Sequence, residues 1–285
     1  MGARTGALIV ALGTAVPGLG LGQQPPVADR FFDSDGVRIR YVVRGSGPPL
    51  LLVHGFAVTP EMNWGATVDS FAPLFTVIAI ELRGHGRSGK PHDPGAYGAQ
   101  FTTDLVHLLD HLSIRRARVA GYSLGARIVL HFVTSHPDRV VSAVLGGGGW
   151  VPPDAPPPPF LVGWMAGLER AARGETTVAD VIRRPDWPAL SPEVIAMLNS
   201  NDPRALAAVL RSGAGLGVAA EALRANKVPV LAVVGAEDQP ARGNVEGMAG
   251  VLASAQVTIV PEANHVSLVG DPRLAQVMLR FFRAH

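Results

Sequence analysis

Read from residue 29 onward, the chain alternates short apolar runs with glycine- and proline-rich breaks. Segments 29–33 and 37–43 predict two hairpin-like strands that lead into a third at 49–53. That third run, Leu50-Leu51-Leu52-Val53, is continuously apolar, as in a strand covered on both faces of a mostly parallel sheet. Strand and helix patterns then alternate: helix 64–71, strand 76–80, helix 97–112, strand 117–120, helix 124–135 and strand 140–145. This is the βαβ rhythm of a doubly wound α/β sheet.

The rhythm stops at Gly146-Gly147-Gly148-Gly149, and the consecutive prolines 156–159 fit neither a sheet interior nor a helix interior. Short helical patterns follow at 161–172, 177–182, 192–200, 203–211 and 219–225, with no strand signal among them. Strands return at 230–234 and 256–260, and a helix at 272–282 closes the chain. The expected organisation is one α/β core over 23–149 and 227–285, interrupted by a helical cap over 150–226.

Composition narrows the class. At 285 residues, 47% hydrophobic and 17% charged, the chain buries a sizeable core. Lys plus Arg number 25 against 23 for Asp plus Glu, too even a balance for the basic stripe that nucleic acid needs. With no cysteine, disulfides, thiolate metal sites and a cysteine nucleophile are excluded. Ahead of the core, Arg4 precedes an apolar stretch over 6–21, and Gly20 and Gly22 supply small residues for cleavage before Gln23. Residues 1–22 are therefore expected to be a secretory signal peptide, and the protein to be exported. No later segment reads as a membrane span.

The chemistry starts at Gly121-Tyr122-Ser123-Leu124-Gly125, a G-x-S-x-G motif lying after a strand and before a helix. Its serine requires a base, and His265, after the strand 256–260 and before the last helix, stands where a loop brings it over the strand ends. The base in turn needs an acid to fix its tautomer. Asp238, at the turn after strand 230–234, is the expected acid, with Glu237 and Asp154 as rivals. His54-Gly55-Phe56 follows the third strand where an oxyanion loop belongs, so the main-chain N–H groups of Phe56 and Leu124 are the expected donors and His54 is expected to be structural. His107 and His111 have i, i+4 spacing, but Leu108 stands where the metalloprotease motif has Glu. No metal and no cofactor are expected.

These residues resemble the α/β-hydrolase superfamily, specifically its esterase, lactonase and carbon–carbon hydrolase branch with a helical cap. The resemblance covers most of 29–285 and includes Leu82-Arg83-Gly84-His85-Gly86-Arg87-Ser88 and Gly235-Ala236-Glu237-Asp238. It departs at Glu81, where Asp is common, and at Ala126-Arg127, where a second small residue is usual. It implies an eight-stranded, mostly parallel sheet and a carboxylesterase- or lactonase-like hydrolase with a small-molecule substrate. Carbon–carbon bond hydrolysis, cofactor-free perhydrolysis and a catalytically silent binding protein are the alternatives. Dehalogenases and epoxide hydrolases of this fold use Asp as nucleophile, and Ser123 argues against them. Trp150, Phe160, Trp164, Met165, Trp187 and Met197 either line the substrate pocket or form the cap's own core. Neither substrate identity nor oligomeric state is readable from the sequence.

Overall fold

The computed structural model describes residues 28–285 apart from 186, 188, 240 and 253, so the expected signal peptide lies outside the described residues. Eight strands form one sheet: β1 (Arg30–Ser34), β2 (Val37–Arg44), β3 (Pro49–Val53), β4 (Thr76–Ile80), β5 (Ala117–Tyr122), β6 (Val140–Gly146), β7 (Val230–Gly235) and β8 (Gln256–Val260). Their order is β1-β2-β4-β3-β5-β6-β7-β8. The β1/β2 and β2/β4 pairs are antiparallel and all others parallel. The sheet buries both faces, and the alternation of side chains along each strand assigns them. Leu51, Val53, Ile78, Ile80, Val119, Leu145, Ala232 and Val234 face one apolar layer. It is shared with α2 (Gln100–His111), α3 (Leu124–Ser135) and α9 (Ala241–Val251). Leu50, Leu52, Val77, Ala79, Ala120, Val144, Leu231 and Val233 face the other, against α1 (Pro60–Phe71) and α10 (Pro272–Ala284).

Between β6 and β7 the described residues form five α-helices: α4 (Pro159–Ala172), α5 (Val178–Ile182), α6 (Pro192–Asn199), α7 (Pro203–Arg211) and α8 (Ala220–Ala225). The proline run ends at Pro159, the first residue of α4, where a missing N–H costs nothing. Thr177, Ser191 and Asp202 cap α5, α6 and α7 with their side-chain oxygens. While Leu223 of α8 packs into the sheet core, a separate apolar cluster of Leu168, Val178, Ile182, Leu198 and Leu206 holds α4 to α7 together. It reaches the sheet through Ala57, in the loop after β3, whose carbonyl accepts a bond from Asn201 Nδ2 at 3.0 Å.

Beyond shifts of one or two residues at element ends, three helices differ from the sequence reading. α1, expected over 64–71, begins at Pro60, because Thr59 caps it by accepting the Met62 N–H and Pro60 suits its first position. The helix expected over 97–112 begins only at Gln100, because Gly98 takes a left-handed conformation (φ 64°) after a short 3-10 turn at Pro94–Ala96. α9 was not expected: Gly243, Gly247 and Gly250 dilute its pattern, although Ala241, Val245 and Met248 line its buried side at helical spacing. Among the described residues no helix is long and apolar enough to cross a membrane.

Candidate active site

The carboxyl ends of β3, β5, β7 and β8 converge on one edge, the usual ligand edge of an open parallel sheet. Ser123 sits in the turn between β5 and α3 with φ 55° and ψ −112°, strained for a residue with a Cβ. The flanking glycines make that turn possible. A Cβ on Gly121 would come within 2.1 Å of the Gly125 carbonyl oxygen, and one on Gly125 within 2.2 Å of the Val53 oxygen. The turn after β7 is bound to the turn after β8: Ala236 N–H donates to Val260 O and Glu237 N–H to Ala263 O, both at 2.9 Å. This clasp brings Asp238 beside His265. His265 Nδ1 lies 2.8 Å from Asp238 Oδ2, and its Nε2 lies 3.0 Å from Ser123 Oγ. An ionised carboxylate only accepts, so the proton belongs on Nδ1 and leaves Nε2 free to accept from the serine. Asp238 is 3% exposed whereas its rivals Glu237 and Asp154 are exposed, and neither is bonded to the imidazole.

Gly55 is held through both of its backbone polar groups. Asn63 Oδ1 accepts the Gly55 N–H at 2.7 Å, and His54 Nδ1 donates to the Gly55 carbonyl at 2.7 Å. His54 Nε2 accepts the Leu82 N–H at 2.9 Å, which assigns the donor role to Nδ1. Because a trans peptide is planar, fixing the Gly55 C=O also aims the Phe56 N–H in the opposite direction. A Cβ built on Gly55 would stand 3.4 Å from Ser123 Cβ, so the Gly55–Phe56 peptide borders Ser123. Among the described residues neither the Phe56 nor the Leu124 N–H has an intramolecular acceptor. Burial holds the His54 imidazole well below its ordinary range, and the His85 ring beside it pushes the same way. His54 is therefore a neutral, doubly bonded strut.

With that geometry in place, comparison with known proteins is informative. A sequence profile described as the alpha/beta hydrolase fold matches residues 48–189, which run from β3 through the Ser123 turn into the helical insert. The chain belongs to the α/β-hydrolase fold family. Over 268 residues it is 27% identical to a putative 2-succinyl-6-hydroxy-2,4-cyclohexadiene-1-carboxylate synthase of Bacillus subtilis, covering 85% of this chain and 93% of that one. Over 119 residues it is 35% identical to the dihydrolipoyllysine-residue acetyltransferase component of the acetoin cleaving system of Cupriavidus necator, covering 41% of this chain and 31% of that one. The chain thus spans only about a third of the length of the first curated relatives it matches. The crystal structure of a hydrolase from Pseudomonas aeruginosa superposes with a TM-score of 0.72 at 26% identity, covering 89% of this chain and 98% of that one.

Within this α/β-hydrolase fold the remaining expected residues separate into two groups. Trp164 and Trp187 lie at the site: the Trp187 indole is stacked on the His265 imidazole, with centroids 5.9 Å apart and planes 9° apart, and Trp164 is stacked on Phe56. Trp150 is directed elsewhere. Its indole N–H donates to Val218 O at 2.8 Å and its ring packs on the sheet core, so its described contacts are structural rather than pocket-lining. Met165 is half-buried on α4 beside Trp164, and Met197 packs against the insert's own cluster. His107 and His111 fasten α2 to the first two strands, through Ser34 Oγ at 2.9 Å and Tyr41 OH at 3.1 Å.

Both departures from the family pattern are accommodated. Glu81 reaches the loop beyond it, accepting the N–H groups of Arg87 and Ser88 and a bond from Arg40. Arg127 donates to Gly213 O at 2.9 Å. Sequence reasoning missed Asn63 and Tyr122. Tyr122 OH donates to the His265 carbonyl at 2.6 Å, tying the Ser123 turn to the His265 loop. Its signal lay in the glycine run, since a Cβ on Gly147 would meet the Tyr122 ring at 2.7 Å.

Proposed function

We propose that this protein is a serine hydrolase that cleaves a carboxylic ester or lactone through an acyl-enzyme on Ser123. The observation that carries this reading is the imidazole of His265, bonded to Ser123 on one side and to a buried carboxylate on the other. His265 Nε2 takes the hydroxyl proton as Ser123 Oγ bonds to the carbonyl carbon. The negative charge on the carbonyl oxygen is held by the N–H groups of Phe56 and Leu124, each donor contributing about 3 kcal/mol in comparable sites. The C–O bond to the alcohol then breaks, and His265 returns the proton to the departing oxygen. Water, deprotonated by the same base, repeats the sequence and releases the acid. In this reading the helices between β6 and β7 form the cap over the site, and the steps above use Ser123, His265, Asp238 and main-chain N–H groups.

A fluorophosphonate probe tests the assignment. It is expected to label wild-type protein on Ser123 one to one, and Ser123→Ala should abolish both labelling and turnover of p-nitrophenyl acetate. Undiminished hydrolysis by the alanine variant sinks the reading.

A further inference from the structure

Phe56, whose N–H is the proposed oxyanion donor, is followed by a residue in an unfavourable conformation. Ala57 has φ 59°, in the left-handed region that a residue with a Cβ rarely occupies, and it is fully buried. Left alone, an alanine in a loop leaves that region. The helical insert holds it there. Asn201, buried in the turn between α6 and α7, donates from Nδ2 to Ala57 O and to Leu198 O, both at 3.0 Å. Met197 O lies 3.4 Å from the same nitrogen, and three carbonyl neighbours can be met only by the NH2 end of the amide, which fixes its orientation. Ala57 also belongs to the apolar cluster of Leu168, Leu198 and Leu206. Apolar packing is not directional, so the bond from Asn201 is what sets the direction of the Ala57 carbonyl.

That direction reaches the donor through the chain. His54 fixes the Gly55 carbonyl, one point of the Gly55–Phe56 peptide plane, and the plane still turns about that point unless Phe56 Cα is held as well. Rotation about the Ala57 N–Cα bond swings the Phe56–Ala57 peptide and carries Phe56 Cα with it. A relaxed Ala57 therefore misaims the Phe56 N–H even with His54 in place, and stabilisation of an oxyanion depends on that aim.

Resting on the serine-hydrolase reading, we propose that Asn201 is a positioning residue of the active site: from the helical insert it holds Ala57 in its left-handed turn and thereby aims the Phe56 N–H. His54 secures the donor from the core side and Asn201 from the insert side, so the insert takes part in catalysis through the backbone of the loop after β3.

Hydrolysis of p-nitrophenyl acetate by Asn201 variants in two backgrounds tests this. Asn201→Ala should lower kcat about tenfold with KM within about twofold of wild type, as when a left-handed alanine loses its support. Glycine enters the left-handed region about as readily as the right-handed one, so in protein that also carries Ala57→Gly the same Asn201→Ala change should lower kcat less than about threefold. Asn201→Ser separates this role from one confined to the insert. A serine hydroxyl can bond the carbonyl three residues back, as Ser200 and Ser212 do to Met197 O and Val209 O at 2.7 Å, but its oxygen stands where the amide carbon stood, out of reach of Ala57. Asn201→Ser should therefore lose as much kcat as Asn201→Ala, and it decides the matter alone should the alanine variant not fold. Folded Asn201→Ser protein with kcat within about twofold of wild type overturns the proposal, and so does an Asn201→Ala loss of the same size with and without Ala57→Gly. The two readings fail differently. Wild-type protein that labels with fluorophosphonate on Ser123, with Asn201 variants that keep full kcat, loses only the role of Asn201. Protein that neither labels nor turns over p-nitrophenyl acetate loses the hydrolase reading and this one with it.

Discussion

In the proposed mechanism Asp238 acts through one hydrogen bond, to His265 Nδ1, and that bond decides which imidazole nitrogen faces the serine. Asp238→Asn keeps the shape but presents a donor where an acceptor is required, favouring the wrong tautomer. We expect kcat to fall about 10⁴-fold with KM and the circular dichroism spectrum near wild type. Glu237→Gln and Asp154→Asn, both at exposed positions, should change kcat less than about twofold. A collapse in either control with a near-normal Asp238→Asn would move the acid to that residue. The sequence left these three carboxylates in competition because a turn after a strand does not reveal which side chain folds inward. What separates them is the clasp between Glu237 N–H and Ala263 O: it holds the Glu237 backbone against the histidine loop while its side chain stays exposed and Asp238 turns in.

At the scale of elements, the proposed mechanism has the loop after β3 work through its backbone, as an oxyanion loop. Phe56→Leu retains the N–H and should keep far more activity than Ser123→Ala, whereas Phe56→Pro removes the donor and should lower kcat about 100-fold or more in protein that still folds. Fully active, folded proline protein would exclude the Phe56 N–H from the site. His54 provides an independent check: its ring pins the Gly55 carbonyl, so His54→Ala should lower kcat more than it raises KM, as a misaimed donor would. The sheet and most helices were legible because their signals are local. β3, β4, β8, α3 and α7 have the bounds that apolar runs, caps and prolines predict. The position of Ser123 was legible for the same reason, its motif being five contiguous residues. Asn63, Tyr122 and the stacking of Trp187 on His265 were not, because each joins segments distant in sequence through contacts that exist only once the sheet is assembled.

Across the whole molecule, two buried histidines couple stability to pH. His85 is fully buried and donates from Nδ1 to the Arg83 carbonyl at 3.0 Å, and its Nε2 has no hydrogen-bond partner among the described residues. Burial pushes its imidazole down to about 4, and burial together with His85 holds His54 well below its ordinary range. In the unfolded chain both take a proton near pH 6.5, while in the folded protein they stay neutral. As pH falls below 6.5 the unfolded state binds protons that the native state refuses, so stability present at pH 7 and above is lost progressively toward pH 4. For His85 alone the loss is of order 3 kcal/mol by pH 4, a substantial part of a typical domain's stability. The salt-bridged carboxylates Asp29 and Asp202 are held below their ordinary range, so their contribution fades only at still lower pH, whereas burial raises Glu81 and Asp104, which take up protons in the fold and offset part of the histidines' loss. Urea midpoints taken at pH 7.5, 6.0 and 4.5 should therefore decline steadily. His85→Asn, whose amide N–H can still reach the Arg83 carbonyl but which does not titrate, should show a shallower decline. Identical pH dependence in the variant and the wild type would mean that His85 takes up its proton over the same pH range in the folded and the unfolded chain, so that burial does not hold it neutral.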